Sequence, residues 1–312
     1  ERGKPDYTYM DAAVDWAEKH DFAVRGHCLF WDLPRIPGWV QRLKGAELRK
    51  EYERRATEAV GRYKGRLIDW DFRNETLNGP KWDERMLGKG IHAKMTRWVK
   101  EADPDVNVCM NEFDVLSNEG KCRAYIRKFH SVLKNGGIVD KLGCQGHYYG
   151  EDFNRKTLKK CLDMLAKLDR PIVITEFNMP GQTSKYCKNK KLTYSPEQEK
   201  RKAEIIRDYI RICFEHPAVV GFYFWYPWEA VTWIRASALW NKEGKPQPAL
   251  EAYRKLVFDE WWTTFEGKAD ENGECRVPAF FGKHRVAANG KESKVQLKKA
   301  KGTARVAPPA SR

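Results

Sequence analysis

Between residues 22 and 225 the chain alternates short apolar runs with longer amphipathic stretches, and this alternation constrains its fold more than any other feature. The apolar runs lie at Phe22–Phe30, Leu67–Phe72, Val106–Met110, Leu142–Gln145, Pro171–Thr175 and Val219–Trp225. Helical stretches are expected at Met10–His20, Ala46–Tyr63, Gly90–Glu101, Lys121–Asn135, Leu158–Leu168, Pro196–His216 and Gln247–Val257. Strand followed by helix, repeated, predicts parallel strands joined by crossover helices. The runs are nearly continuous in Val, Ile, Leu, Phe and Cys, as strands covered on both faces should be. The closed form of such a series is an eight-stranded (β/α) barrel. Six strands are present, so the expected fold is an α/β barrel of TIM type lacking its first two strands, at residues 1–262. Beyond Trp261-Trp262 the texture becomes rich in Gly and Lys, with short alternating runs and a turn at Asp270-Glu271-Asn272-Gly273. A small β-rich appendage is expected at 263–306, followed by a flexible tail at 307–312.

In a parallel barrel the C-terminal strand ends line the active face. Here the six strands end at His27 and Trp31, at Asn74-Glu75, at Asn111-Glu112, at Gln145-Gly146-His147, at Glu176, and at Trp225 with Trp233 beyond it. Each has a packing explanation alone, but core packing gives no reason for all six strands to end in carboxylates, amides, imidazoles and indoles. Twelve Trp residues point the same way, because indoles stack on sugar rings and on bases. Glycosidic cleavage needs two carboxylates across the scissile bond, one protonating the leaving oxygen and the other attacking the anomeric carbon. Glu75 and Glu176 arise from separated strands and are the candidate pair.

These residues resemble glycoside hydrolase family 10, the xylanases, over residues 1–258. Gly26-His27-Cys28-Leu29-Phe30-Trp31 is similar to that family's Gly-His-Thr-Leu-Val-Trp, and Trp70-Asp71-Phe72-Arg73-Asn74-Glu75 to its Trp-Asp-Val-Val-Asn-Glu. Gln145-Gly146-His147 matches its Gln-Gly-His, and Ile174-Thr175-Glu176-Phe177-Asn178 resembles its Ile-Thr-Glu-Leu-Asp. The spacing of Trp225 and Trp233 and the segment from Asn241 to Pro248 complete the series. The resemblance implies Glu75 as general acid/base and Glu176 as nucleophile of a retaining endo-1,4-beta-xylanase. It implies His27, Trp31, Asn74, Gln145, His147, Trp225 and Trp233 as substrate-binding residues, with His147 also holding the nucleophile. The chain departs from the pattern at Asp32 (His in the family), Arg73 (Val), Phe113 (Tyr) and Asn178 (Asp). The family's first two strands are missing, so the chain reads as a piece of a longer product.

Other expectations follow from composition. The net charge of +15 is spread over short runs such as Lys188-Asn189-Lys190-Lys191, so a solvated basic surface is expected, with glucuronic-acid-decorated xylan as a candidate partner. No nucleic-acid motif is present and no apolar run is long enough to span a membrane. The histidines and eight cysteines lack zinc spacing, so no metal or other cofactor is expected, nor a dense disulfide framework. Cys28, Cys109 and Cys144 sit in apolar runs and are expected as buried thiols. A secreted or periplasmic monomer acting on polysaccharide is the reading that results. The alternative is a non-catalytic carbohydrate-binding protein on a hydrolase scaffold.

Overall fold

The computed structural model describes residues 3–148, 153–182, 184–189 and 191–298, and the chain divides into two compact units, Glu1–Leu250 and Glu251–Arg312. The first unit opens with α1 (Thr8–Lys19), β1 (Val24–Gly26), the short α2 (Gly38–Gln41) and α3 (Gly45–Arg62). It continues through β2 (Leu67–Asn74), α4 (Trp82–Leu87), α5 (Ile91–Ala102), β3 (Asn107–Glu112) and α6 (Glu119–Lys134). Then come β4 (Lys141–Cys144), α7 (Arg155–Ala166), β5 (Ile172–Phe177), the short α8 (Lys185–Lys188), α9 (Pro196–Glu215) and β6 (Val219–Phe224), while α10 (Pro248–Arg254) straddles the boundary between the units. The six strands form one sheet in the order β1-β2-β3-β4-β5-β6, every pair parallel. Sequence order equals spatial order, as in a singly wound barrel, and the result is a half-barrel arc.

Helix starts follow local capping where local capping exists. The Ser195 side chain accepts from the Gln198 amide in a reciprocal capping box, with Pro196 in the first turn, and α9 begins where the sequence predicts. Asn118 and Asn154 cap α6 and α7 through the amides of Lys121 and Thr157. By contrast α4 was not expected, because its cap comes from a distant loop: Asp32 accepts from the amides of Lys81 (2.6 Å) and Trp82 (3.1 Å). The same carboxylate leaves no space beside Gly79, where φ is +72° and a Cβ would stand 2.9 Å from Asp32.

The first strand is shorter than predicted. Only Val24–Gly26 forms a strand, its register shifting between Val24 and Arg25; the chain then leaves β2 and regains it at Leu29, whose amide donates to the Asp71 carbonyl (3.0 Å), and at Phe30, which bridges Arg73. Cys28 lies in this departure and is half-buried rather than buried, while Cys109 and Cys144 are fully enclosed. Gly26 is required by its neighbour, since a Cβ there would meet the Trp70 ring at 2.2 Å.

The concave face of the arc carries charge. Asp69 pairs with Arg25 of β1 (2.6 Å) and Lys141 of β4 (2.9 Å), and Asp71 pairs with Arg25 (2.8 Å) and His27 (2.9 Å). Both aspartates are wholly buried. At Phe72 the register of β2 against β3 slips by one residue, Asp71 pairing Cys109 and Arg73 pairing Met110. A strand alternates faces, and one extra residue exchanges them. Asp69 and Asp71 therefore face inward, Asn74 also faces inward, and Arg73 faces out. Arg73 is fully buried behind the sheet, donating to Asp83 (2.5 Å) and lying 3.2 Å from Asp32. Burial alone would push the Asp83 carboxyl up, but the His92 hydrogen bond and the Arg73 charge outweigh it and hold it well below the usual carboxylate range.

In the second unit, β7 (Gly282–Ala288) and β8 (Lys291–Leu297) form an antiparallel hairpin. Its turn is Asn289-Gly290, both with positive φ (51° and 73°), as a two-residue primed turn demands. The predicted turn at Asp270–Gly273 is present, the Gly273 amide donating to Asp270 (3.0 Å), but no strands flank it. The expected tail at 307–312 lies outside the described residues. Among the described residues no helix is long and apolar enough to cross a membrane.

Arg73 neutralises two buried carboxylates, so Arg73→Ala is expected to destabilise the chain by about 3–5 kcal/mol. The midpoint of a urea or guanidinium transition measures this, and a loss under about 1 kcal/mol would contradict the buried pairing.

Candidate active site

The C-terminal ends of β2 to β5 bring their side-chain amides together. Asn74 Oδ1 accepts from Asn111 Nδ2 (2.9 Å) and Gln145 Nε2 (3.1 Å). Asn111 Nδ2 also donates to Glu176 Oε1 (2.7 Å), and Gln145 Nε2 approaches Glu75 Oε1 (3.4 Å). The Thr175 hydroxyl donates to Asn111 Oδ1 (2.7 Å), which fixes the orientation of that amide so that its nitrogen faces Asn74 and Glu176. A continuous chain thus runs Glu75–Gln145–Asn74–Asn111–Glu176. The far end is the firmer. Glu176 is buried, its amide donates to the Gln145 carbonyl (2.9 Å), and its second oxygen lies 3.3 Å from His147 Nε2, whose Nδ1 lies 2.8 Å from Asn178 Oδ1. Glu75 is half-buried and is held mainly by its backbone, whose amide donates to the Asn111 carbonyl (3.0 Å).

Aromatic rings wall the same face. The Trp225 ring lies edge-on to His27 (5.8 Å between centroids), His147 (6.2 Å) and Trp233 (5.8 Å). Trp31 stands 6.0 Å from His27, with the Arg35 guanidinium 5.3 Å from its ring. Trp233 is 38% exposed, enough for an apolar ring face to meet a ligand. Asn74 Nδ2 and Trp225 Nε1 are buried donors with no hydrogen-bond partner among the described residues, as expected of groups that complete their bonding with a ligand.

All nine residues singled out in the sequence therefore occupy one connected set. Three more belong to it. Asn111 links Glu176 to Asn74, Asp71 anchors His27, and Asn178 contacts His147. Asn111 stands on the expected rim as a strand end, and only its role as the link to Glu176 was not legible. Asp71 carries no such signal, because nothing in one sequence shows which imidazole it meets. Arg73, placed two residues before Glu75, is not in the groove; its Nη1 instead donates to the Glu75 carbonyl (2.8 Å) from behind.

The model of glycosyl hydrolase family 10 matches residues 1–256. Anti-sigma-I factor RsgI6 of Acetivibrio thermocellus is 31% identical over 89% of this chain and 35% of its own length. Endo-1,4-beta-xylanase 2 of Arabidopsis thaliana is 27% identical over 94% of this chain and 26% of its own length. The chain thus spans about a third or less of these curated relatives. Among solved structures, xylanase 10B from Thermotoga petrophila RKU-1 in complex with xylobiose superposes with a TM-score of 0.74 at 25% identity, covering 83% of this chain and 81% of that one. Native xylanase 10B from Thermotoga maritima gives the same TM-score, 0.74, at 26% identity.

Burial works against protonation of His27, but the hydrogen bond and charge of Asp71, with the charge of Glu176, outweigh it and raise the imidazole above its ordinary value of 6.5. A raised histidine stabilises the fold fully below 6.5, and that contribution fades as pH climbs through the folded value. NMR titration of the His27 ring should give a midpoint above 6.5, falling in Asp71→Asn; an unchanged midpoint in the variant would remove Asp71 as the cause.

Proposed function

The chain belongs to glycosyl hydrolase family 10, and from that premise we propose that it is a retaining endo-1,4-beta-xylanase with Glu75 as acid/base and Glu176 as nucleophile. The observation that carries this reading is the amide chain joining the two carboxylates beneath an aromatic wall. In the first step the Glu75 proton passes to the leaving glycosidic oxygen as that C–O bond breaks, and Glu176 forms an ester bond to the anomeric carbon. In the second, Glu75 takes a proton from water, whose oxygen displaces Glu176 and restores the starting carboxylate. Asn111 and His147 hold Glu176 in line for attack. His27, Asn74 and Gln145 take the hydroxyls of the sugar nearest the cut, and Trp31, Trp225 and Trp233 stack on ring faces. The barrel region, 1–262, carries this chemistry, with 263–306 as a separate β-rich appendage and 307–312 as a tail.

The substrate in this reading is xylan, met by a monomer outside the cytoplasm. Two curated and solved relatives named as xylanases support the substrate class. The net charge of +15 favours xylan decorated with glucuronic acid. Binding to acidic xylan that is insensitive to salt would remove that preference.

A second reading, a module that holds a polysaccharide without cutting it, draws on one observation: the relative matched over 89% of the chain bears the name of an anti-sigma factor. Reducing-sugar release separates the two. Wild-type protein should release reducing ends from xylan, and Glu176→Gln should lower release to below about a thousandth while leaving the thermal midpoint in place. Binding without release by the wild type favours the second reading; full activity in Glu176→Gln contradicts the assignment of the nucleophile.

A further inference from the structure

The carboxylate at the end of β3, Glu112, is fully buried and takes no part in the chain that joins Glu75 to Glu176. It faces instead the turn that follows β2. Its Oε2 accepts from the Leu77 amide (2.7 Å), and its Oε1 accepts from the Asn78 side-chain amide and the Phe113 amide (3.1 Å). The Lys121 ammonium of α6 closes the arrangement, donating to Asn78 Oδ1 (2.8 Å) and lying 3.8 Å from Glu112. The turn so held begins at Glu75, whose carbonyl accepts from the Asn78 amide (3.3 Å) and whose φ of 58° is left-handed, a conformation that a non-glycine residue adopts only when its surroundings impose it. Arg73 holds the Glu75 carbonyl, Asn111 receives the Glu75 amide, and Glu112 grips the turn two and three residues on.

We infer that Glu112 is a positioning residue for Glu75: by gripping Leu77 and Asn78 it maintains the left-handed turn that aims the Glu75 carboxyl into the groove. The last two residues of β3 then divide the work, Asn111 orienting Glu176 and Glu112 orienting Glu75. The charged groups that face Glu112 are Lys121 from α6 and Glu75 from the turn. Burial is the largest influence on its carboxyl and, with the Glu75 charge, prevails over the Leu77 and Phe113 amides and Lys121 to push it up to about 7. Sustaining a carboxylate there at neutral pH is unfavourable for folding, which argues that the contact serves the turn more than the core. A carboxyl raised in the folded state contributes stability in full below 4.5, and this is lost as pH rises through 7.

This inference rests on Glu75 as acid/base, and its test has one arm that does not. In Glu112→Gln a single oxygen remains to accept, so one of the two turn donors faces an NH2 group. The expected result is a fall in kcat on xylan of about 10- to 100-fold with KM within about threefold. Amide exchange at Leu77 should quicken by about tenfold or more. The thermal midpoint at pH 8 should hold, because a neutral amide replaces a buried charge. Asn78→Ala, which cuts one arm of the grip from a half-buried position, should reproduce the kcat fall in milder form if the first variant fails to fold. Unchanged kcat together with unchanged Leu77 exchange overturns the inference, as does a kcat loss that only tracks a lowered midpoint. Wild-type protein that releases no sugar overturns the hydrolase reading instead, and Leu77 exchange then decides alone whether Glu112 holds the turn.

Discussion

Two buried aspartates organise the sheet. Asp69 and Asp71 stand on the concave side of β2, where a parallel sheet ordinarily buries aliphatic side chains, and they draw cations from both directions: Arg25 from β1 and Lys141 from β4. Arg25 also reaches across the arc to the Tyr223 ring of β6, 5.5 Å away. A β1 of three residues, shifted in register against β2, offers few ladder hydrogen bonds, so side-chain electrostatics secure this edge as well as the backbone does. Buried pairs of this kind gain little over a well-packed apolar core, yet losing one partner strands a charge in low dielectric. Asp71 carries the arrangement upward to His27, and so the ionic interior of the barrel ends at the rim where Glu176 stands, 3.9 Å from that imidazole.

The two carboxylates are held in different ways. Glu176 is fixed through its side chain, with Asn111 on one oxygen and His147 near the other. Glu75 is fixed through its backbone, and among the described residues only Gln145 hydrogen-bonds its carboxyl. A nucleophile gains from a rigid line of attack, whereas a group that donates and later accepts a proton serves two partners in succession and gains from latitude. The departures at Asp32 and Arg73 belong to the backbone side of this scheme. Read separately they look like a lost imidazole and a stray charge. In space they are partners 3.2 Å apart, and together with Asp83 they brace the outer face of β2 and the loop leading to α4.

What the sequence made legible follows from range. The series of strands and helices was readable because periodicity is local, and α9 was placed at its first residue because Ser195, Pro196 and Gln198 are adjacent. The candidate site was readable because parallel topology sends every strand's C-terminal end to one rim. Long-range features were not. The cap of α4 lies fifty residues away in Asp32, and the ladder of β1 breaks where Gly26 meets the Trp70 ring. The β-rich appendage was legible from its alternating runs but its turn was not: Asp270–Gly273 and Asn289-Gly290 both carry turn residues, and only the second lies between segments that pair.

The slip at Phe72 has a further meaning for how this strand can change. Side-chain parity along β2 is a reading frame with two faces, and the bulge is a frameshift written into it. Upstream, odd-numbered residues belong to the barrel interior; downstream, the even-numbered Asn74 does. Substitutions at 73 are consequently screened against the packing behind the sheet, and those at 74 against the sugar groove, although the two are adjacent. Drawing Phe72 back into register, with no residue lost, would exchange the pair, turning the guanidinium toward the barrel interior and the amide toward the back of the sheet. The chain can tolerate an arginine beside its acid because the extra residue turns that arginine to the back of the sheet.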